Sequence, residues 1–421
     1  MAAPTNFLQQ VITYNESNLA LLLNMYAFIS TSNKKFQRFN DDVPKNLGDT
    51  VSFDLPPRFN TNNSLVAVFQ AANQRVQQLT VDQQVSTAYE FTAQQFIFNV
   101  RDYMDKFGRS AVAEIGSQIE SNVASVAETN TFRFFGDGVT QISTYLQLAN
   151  ALAFFRNFGA AKTQTRGYLS DLTFPPIVNS GLNQFTLERG NREANSWEIG
   201  KFSNCDWYQS NLLKTHFAGS QGNSGAVLTV VSTTTDASGA VVSITFNGTS
   251  AMSDPNCIKA YDKFVFNDGT AGLPDLRFLT FIGHRPSQSP VQFRATADAA
   301  STAGSQVTVN IYPPLQASVV SSANSATQYI TSAILPGMKV SVLPDHRCGL
   351  ITAGDPLFLA MPKLPEEVPY PTSVSQDPDS GASIRQYYGS LFGQNQRGMI
   401  HDCIWGKTLV DEYSMMIALP V

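Results

Sequence analysis

Gly48-Asp49-Thr50-Val51-Ser52-Phe53-Asp54-Leu55-Pro56-Pro57 alternates apolar and polar side chains and then runs into two prolines. Alternation at Val51, Phe53 and Leu55 is the period of a strand, whose side chains point to opposite faces in turn. Proline cannot donate to a ladder, so the pair ends it. A second extended stretch follows at 74–85, where Val76, Gln78 and Thr80 alternate with Gln77, Leu79 and Val81. Together the two predict a long β-hairpin, rich in Gln and Asn and poor in apolar side chains on one face. A lone hairpin is marginally stable in water. A polar one that projects from a domain needs a neighbour to lie on.

The residues before the hairpin read as an arm. Asn15-Glu16-Ser17-Asn18 predicts a helix start, and Leu19, Leu22, Leu23 and Tyr26 supply a short apolar face. After the hairpin comes the clearest helix, 109–128, with Ala111, Val112, Ile115, Ile119, Val123 and Val126 on one face. At about 1.5 Å per residue it would run roughly 30 Å. A second helix is predicted over 141–158, striped by Ile142, Tyr145, Ala149 and Leu152 and stopped by Gly159. From about Gly222 the texture changes to six β-type runs at 226–233, 241–246, 258–266, 276–282, 291–295 and 307–311. Turn clusters such as Asp236-Ala237-Ser238-Gly239 and Asn267-Asp268-Gly269 separate them. Strands without intervening helices predict a small barrel or sandwich. Mixed texture returns after about 320, so the fold class is α+β with an inserted all-β, barrel-like domain.

Composition narrows the function. The chain has 421 residues, 43% of them hydrophobic, which is ample for a large core and excludes wholesale disorder. Only 14% are charged, against roughly 25% in an ordinary soluble domain. Such a surface does little to keep copies of itself apart. A net charge of -5 argues against a dedicated nucleic-acid binder. No run approaches the roughly 20 apolar residues of a membrane span. The N-terminus lacks a basic stretch followed by an apolar core, so no secretory signal is expected. Cys205, Cys257, Cys348 and Cys403 are dispersed, which reads as free thiols in a reducing compartment.

Catalytic chemistry finds little support. Phosphate-binding loops, dinucleotide fingerprints and HExxH helices are absent. Gly222-Asn223-Ser224-Gly225, with His216 nearby, has the outline of a nucleophile turn, but no orienting carboxylate can be placed. A Gly-rich turn entering the β module is the expectation. His346-Arg347-Cys348 and His401-Asp402-Cys403 would each point both side chains to one face of a strand, offering four zinc ligands if the pairs met. Buried thiols and hydrogen-bonded histidines are the plainer reading. Asp377-Pro378-Asp379-Ser380-Gly381 lacks the other ligands of a calcium loop. Neither a catalytic residue, a metal nor a cofactor is expected.

The stretch from Glu198 to Gly219, with Gly200, Asp206, Ser210, Asn211, His216 and Gly219, resembles a segment of the HK97-fold coat proteins of short-tailed phages, in the branch that carries an inserted β-domain. A Gly-containing turn and an aromatic-acidic neighbourhood lead there to Ser-Asn, then to Thr-His near a Gly. Cys205 and Lys214 depart from that pattern. The order of elements and the closing stretch Cys403-Ile404-Trp405-Gly406 to Met415-Met416-Ile417-Ala418-Leu419-Pro420 are similar as well.

The resemblance implies an N-terminal arm (1–45), an extended loop with flanking strands (46–100), and a peripheral domain with part of an axial domain (101–221). It further implies an inserted β-domain (222–318) and a return through the axial and peripheral domains (319–421). Val112, Ile115, Ile119 and Val123 would face inward from the spine helix. Phe53, Arg58, Phe59, Gln74, Arg75 and Gln77 would contact a neighbouring subunit. The implied function is a major capsid protein that assembles as pentamers and hexamers into an icosahedral head, made in the bacterial cytoplasm and resident in the virion. Implied partners are copies of itself, a scaffolding protein, a portal, decoration proteins and loosely held DNA, with no membrane. The competing reading is a tail-associated or carbohydrate-binding protein with the β block as its recognition face.

Overall fold

The strand read at 48–57 runs from Thr50 to Leu55 and lies beside the long strand Arg75–Thr92 in one sheet. The computed structural model describes residues 5–34, 50–55, 75–92, 107–159, 164–181, 200–280, 285–317, 328–366, 370, 372–377, 381–391 and 396–421. Contacts divide the chain into two units: 1–53, 76–126 and 355–409 form one, and 54–75, 127–354 and 410–421 the other.

In the first unit the sheet order is Thr50–Leu55, Arg75–Thr92, Gln396–Leu409, Ser383–Leu391, Thr372–Gln376, with Leu357–Ala360 also pairing onto Gln396–Leu409. The long strand is more than half of a hairpin. From Val81 to Thr92 it pairs antiparallel with the strand Gln396–Leu409, from Gly406 back to Gln396. That pairing closes a loop of some 300 residues, which no local pattern announces.

The arm is a helix, Thr5–Met25, followed by a short one, Ala27–Thr31. Asn15 and Asn18 do not start it. Both are buried, and Asn15 donates to Ser373 O at 3.0 Å and to Ile384 O at 3.3 Å. Leu19 and Leu22 are buried as the apolar spacing required.

The spine helix spans Arg109–Ala124, with Ala111, Val112, Ile115, Ile119 and Val123 all buried. It stops short of 128 and resumes as the single turn Val126–Thr129. Local competition for a carbonyl explains the break. The Asn122 carbonyl accepts from Ser125 N at 3.2 Å, from Ser125 Oγ at 2.7 Å and from Lys407 Nζ. Such side-chain bonds tighten the last turn into a three-residue closure and end the regular ladder.

The second unit holds a sheet ordered Phe134–Phe135, Ser414–Leu419, His346–Ala353, Thr165–Leu169, Cys205–Gln209, Lys201–Phe202, with Thr215–His216 beside His346–Ala353. The predicted second helix spans Tyr145–Asn157, capped by Thr144 and Gln147 in a reciprocal capping box. Its buried stripe is Tyr145, Leu148, Ala151, Leu152 and Phe155, so Ala149 falls off it and Ile142 is buried ahead of the helix.

The β block closes into a six-stranded barrel: Lys263–Phe266, Gln292–Ala295, Gln306–Leu315, Val241–Asn247, Leu228–Thr235 and Lys339–Val342. Its last strand comes from beyond residue 318. Closure removes both sheet edges. Inside, Phe246, Phe264 and Phe293 stack nearly parallel, Phe264 and Phe293 with centroids 4.9 Å apart. Each is fully buried, and burial of one such ring is worth about 1.5–3 kcal/mol. The turn at 236–239 forms as read: Asp236 Oδ1 accepts from Ser238 N and Ala240 N, both at 2.9 Å, and Gly239 takes a positive φ of 83°.

Candidate functional site

The long strand Arg75–Thr92 presents two rows. Arg75, Gln77, Leu79, Val81, Gln83, Val85, Thr87 and Tyr89 are buried or half-buried, while Val76, Gln78, Asp82, Gln84, Ser86, Ala88 and Glu90 are exposed. Period two assigns each residue to a row, but both rows are mostly polar, so it could not tell which row faces out. The residues expected to touch a neighbour divide accordingly. Gln77 Nε2 donates to Thr408 Oγ1 at 2.8 Å. Arg75 forms a two-pronged pair with Glu412, one N–O distance being 3.0 Å. Both are committed within their own chain. Phe53 packs its ring 4.7 Å from that of Phe358. Arg58, Phe59 and Gln74 lie outside the described residues. The exposed row was the part that sequence reasoning missed, and only strand pairing distinguishes it.

At the far end of this strand the outward face carries a groove of about 570 Å³ lined by Ala88, Glu90, Tyr370, Tyr387, Gly389, Gly398 and Ile400. Gly389 and Gly398 are register partners and leave its floor bare. A Cβ on Gly389 would press on the Tyr370 ring. Tyr89 points to the opposite face and stacks on His401 at 5.8 Å.

The family-like segment shapes a junction in the second unit. Ser203 and Asn204 have positive φ and form the turn between the strands Lys201–Phe202 and Cys205–Gln209, and Gly200, also at positive φ, leads into the first of them. Asp206 accepts from Gln164 Nε2 at 3.2 Å. Ser210 is buried, its N–H bonded to Leu169 O at 3.0 Å, and Asn211 is exposed. Gly219 is also buried, with no room for a side chain against the Cys257 carbonyl.

His216 is held between two carboxylates, Glu128 Oε1 at 2.7 Å from Nδ1 and Asp262 Oδ1 at 2.8 Å from Nε2. With both nitrogens engaged, it has no lone pair to offer a nucleophile. Ser224 ends the short helix Ser220–Ser224, its Oγ donating to Gln221 O at 2.7 Å, and Gly225 follows at φ +66°. That is the Gly-rich turn expected there.

The His-x-Cys pairs are buried. Burial lowers His346 and His401 to about 4 and raises Cys348 and Cys403 to about 12, so all four are neutral near pH 7. His346 Nδ1 donates to Pro344 O at 2.7 Å. Among the described residues no group of three or more His, Cys, Asp or Glu is arranged to hold a metal ion.

Three solved phage structures are similar to this chain over most of its length. One from Mycobacterium phage Che8 matches 93% of this chain and 90% of its own, at 7% identity and TM-score 0.45. The capsid of Cyanophage P-SCSP1u matches 88% and 83%, at 10% identity and TM-score 0.41. The capsid of Ralstonia phage GP4 matches 89% and 84%, at 8% identity and TM-score 0.40. Two of these three are capsids by description. No family model matches the chain, and no curated protein sequence does.

Proposed function

We propose that this chain is the structural subunit of a phage head, an HK97-like major capsid protein that assembles with copies of itself, as pentamers and hexamers, around double-stranded DNA. The observation that carries the reading is the long strand Arg75–Thr92, whose exposed row of Val76, Gln78, Gln84, Ser86 and Ala88 is broken by only two carboxylates. Such a row hydrogen-bonds to a neighbour without stripping water from many charges. The order of arm, extended strands, spine helix, mixed sheet and β barrel supports it, as does the segment 198–219.

In this reading Phe53, Arg58, Phe59 and Gln74 belong to a loop that lies across a neighbouring copy, and the exposed row joins them. Arg75 and Gln77 anchor the base of the loop to its own chain. The barrel is the inserted domain, the sheet of the second unit the axial domain, and the first unit the arm and peripheral domain. A scaffolding protein and portal would guide closure, decoration proteins could bind outside, and a mildly acidic protein would hold DNA weakly. The work is mechanical, with no catalysis.

Expression of the chain alone and beside a candidate scaffolding protein, followed by negative-stain imaging, tests this directly. Hollow shells are expected in at least one condition. A protein that stays monomeric at high concentration in both would refute the reading. Deletion of 60–73 is expected to leave a folded monomer that builds no shells.

A further inference from the structure

His216 ties together three segments of the second unit that are far apart in sequence. It is buried on the strand Thr215–His216. Glu128, on its Nδ1, comes from the single helical turn Val126–Thr129. Asp262, on its Nε2, immediately precedes the barrel strand Lys263–Phe266 and is itself fully buried. Asp262 also accepts from Gly219 N at 3.2 Å and Lys259 N at 2.8 Å, so the barrel turn and the segment after His216 share one carboxylate.

A neutral imidazole has one N–H, and its other nitrogen is a lone pair. With a carboxylate oxygen within hydrogen-bond distance of each ring nitrogen, the imidazolium donates to both. Loss of a proton would set a lone pair against a carboxylate oxygen in a buried site, where an unmet contact is costly.

We propose that His216 is a proton-operated latch, which holds the Asp262 turn of the barrel and the Glu128 turn to the strand Thr215–His216 while both ring nitrogens are protonated, and opens when one proton leaves. The proposal stands apart from the shell reading and rests on this junction alone.

The other charged and titratable groups around it set the direction. Burial alone would lower the His216 pKa, but hydrogen bonds and charge from Asp262 and Glu128 outweigh it and raise the pKa above the ordinary 6.5. A histidine whose folded pKa is raised contributes fully below the unfolded value, and that contribution is lost as pH rises through the folded one. The latch is therefore shut in mild acid and opens on the alkaline side. Lys263, fully buried, reaches the carbonyls of Glu128 and Thr131, and burial lowers it to about 7. Its effect runs the other way, because the unfolded chain binds its proton up to about 10.5. His346, its ring 5.2 Å from that of His216, and Cys348 remain neutral in this range. Lys214 is exposed, its backbone carbonyl accepting from Cys348 N, and Asp345 Oδ1 accepts from Ala218 N at 2.7 Å and Asn223 Nδ2 at 3.0 Å. Arg294 lies opposite Lys263 in the barrel ladder.

Because His216 and Lys263 oppose each other in global stability, the test must be local. Hydrogen exchange by mass spectrometry on the full chain, corrected for intrinsic rates from pH 6 to 9.5, reads opening of 215–222 and 258–263. In the wild type these segments are expected to open roughly tenfold or more as pH rises, the scale of losing a charged hydrogen bond. His216→Gln should be open at pH 6 with a flat profile, and Lys263→Met should keep the wild-type slope. Identical profiles in wild type and His216→Gln would overturn the latch. Should His216→Gln fail to fold, ring-nitrogen NMR of the unaltered protein decides, with only four histidines to resolve. Both His216 nitrogens are expected to be protonated at pH 6, and a neutral tautomer there refutes the proposal.

Discussion

Glu120 is a carboxylate inside the spine helix with 1% of its surface exposed. Its oxygens accept from Phe28 N at 2.9 Å and Ile29 N at 3.0 Å, the unpaired first-turn donors of the helix Ala27–Thr31. It caps the arm from outside the arm. Replacing it by Ala strands two buried N–H groups and should cost about 1–3 kcal/mol, read as a lower urea midpoint. Burial pushes this carboxyl up to about 7, against the two N–H bonds and Lys34. Between about 4.5 and 7 the folded chain therefore holds a proton that the unfolded chain has lost, so this group makes stability fall as pH rises. Glu120→Gln should remove that slope, measured by urea unfolding at pH 5 and pH 7.5. Asp402 carries a second lesson. In sequence it sat between His401 and Cys403, which drew attention to metal chemistry. Folded, it is buried against its register partner Arg385, with Nε to Oδ1 at 2.9 Å. Arg385→Leu should cost about 3–5 kcal/mol by leaving a buried carboxylate unpaired, and adding Asp402→Leu should recover most of it in a double-mutant cycle.

Elements built from short-range periodicity were legible, and elements completed by distant partners were not. The spine helix could be read because Val112, Ile115, Ile119 and Val123 repeat at helical spacing and all proved buried. The long strand was read only to residue 85, because its later partner, Gln396–Leu409, is brought in by the fold. Gly406 is a point of close approach in that pairing. It lies opposite Val81, beside a register shift, and a side chain there would collide with the backbone of Thr80. Backbone cannot give way as a flexible side chain can, so Gly406→Val should break the ladder at that point. Faster hydrogen exchange across 81–92, with the barrel segments unchanged, is the expected signature.

For the whole molecule, the low charge becomes informative once the exposed row of the long strand is known. Gln78, Gln84 and Ser86 are exposed there, so changing all three to Lys should alter monomer stability by no more than about 0.5 kcal/mol per site. If the proposed shell role holds, shell formation should nevertheless be lost, through desolvation of unpaired charge at a repeated contact, and sedimentation velocity would show the monomer persisting. Wild-type shell yields from the triple variant would count against this face. The sequence by itself determined the class of each segment: the arm helix, the spine, the β block and the scarcity of charge. These follow from local spacing and composition, which act over a few residues. The tertiary structure alone decided which row of the strand faces out, which strand closes the barrel and which charges meet around His216. Those depend on contacts between residues tens to hundreds apart, where burial and pairing are set by the completed fold.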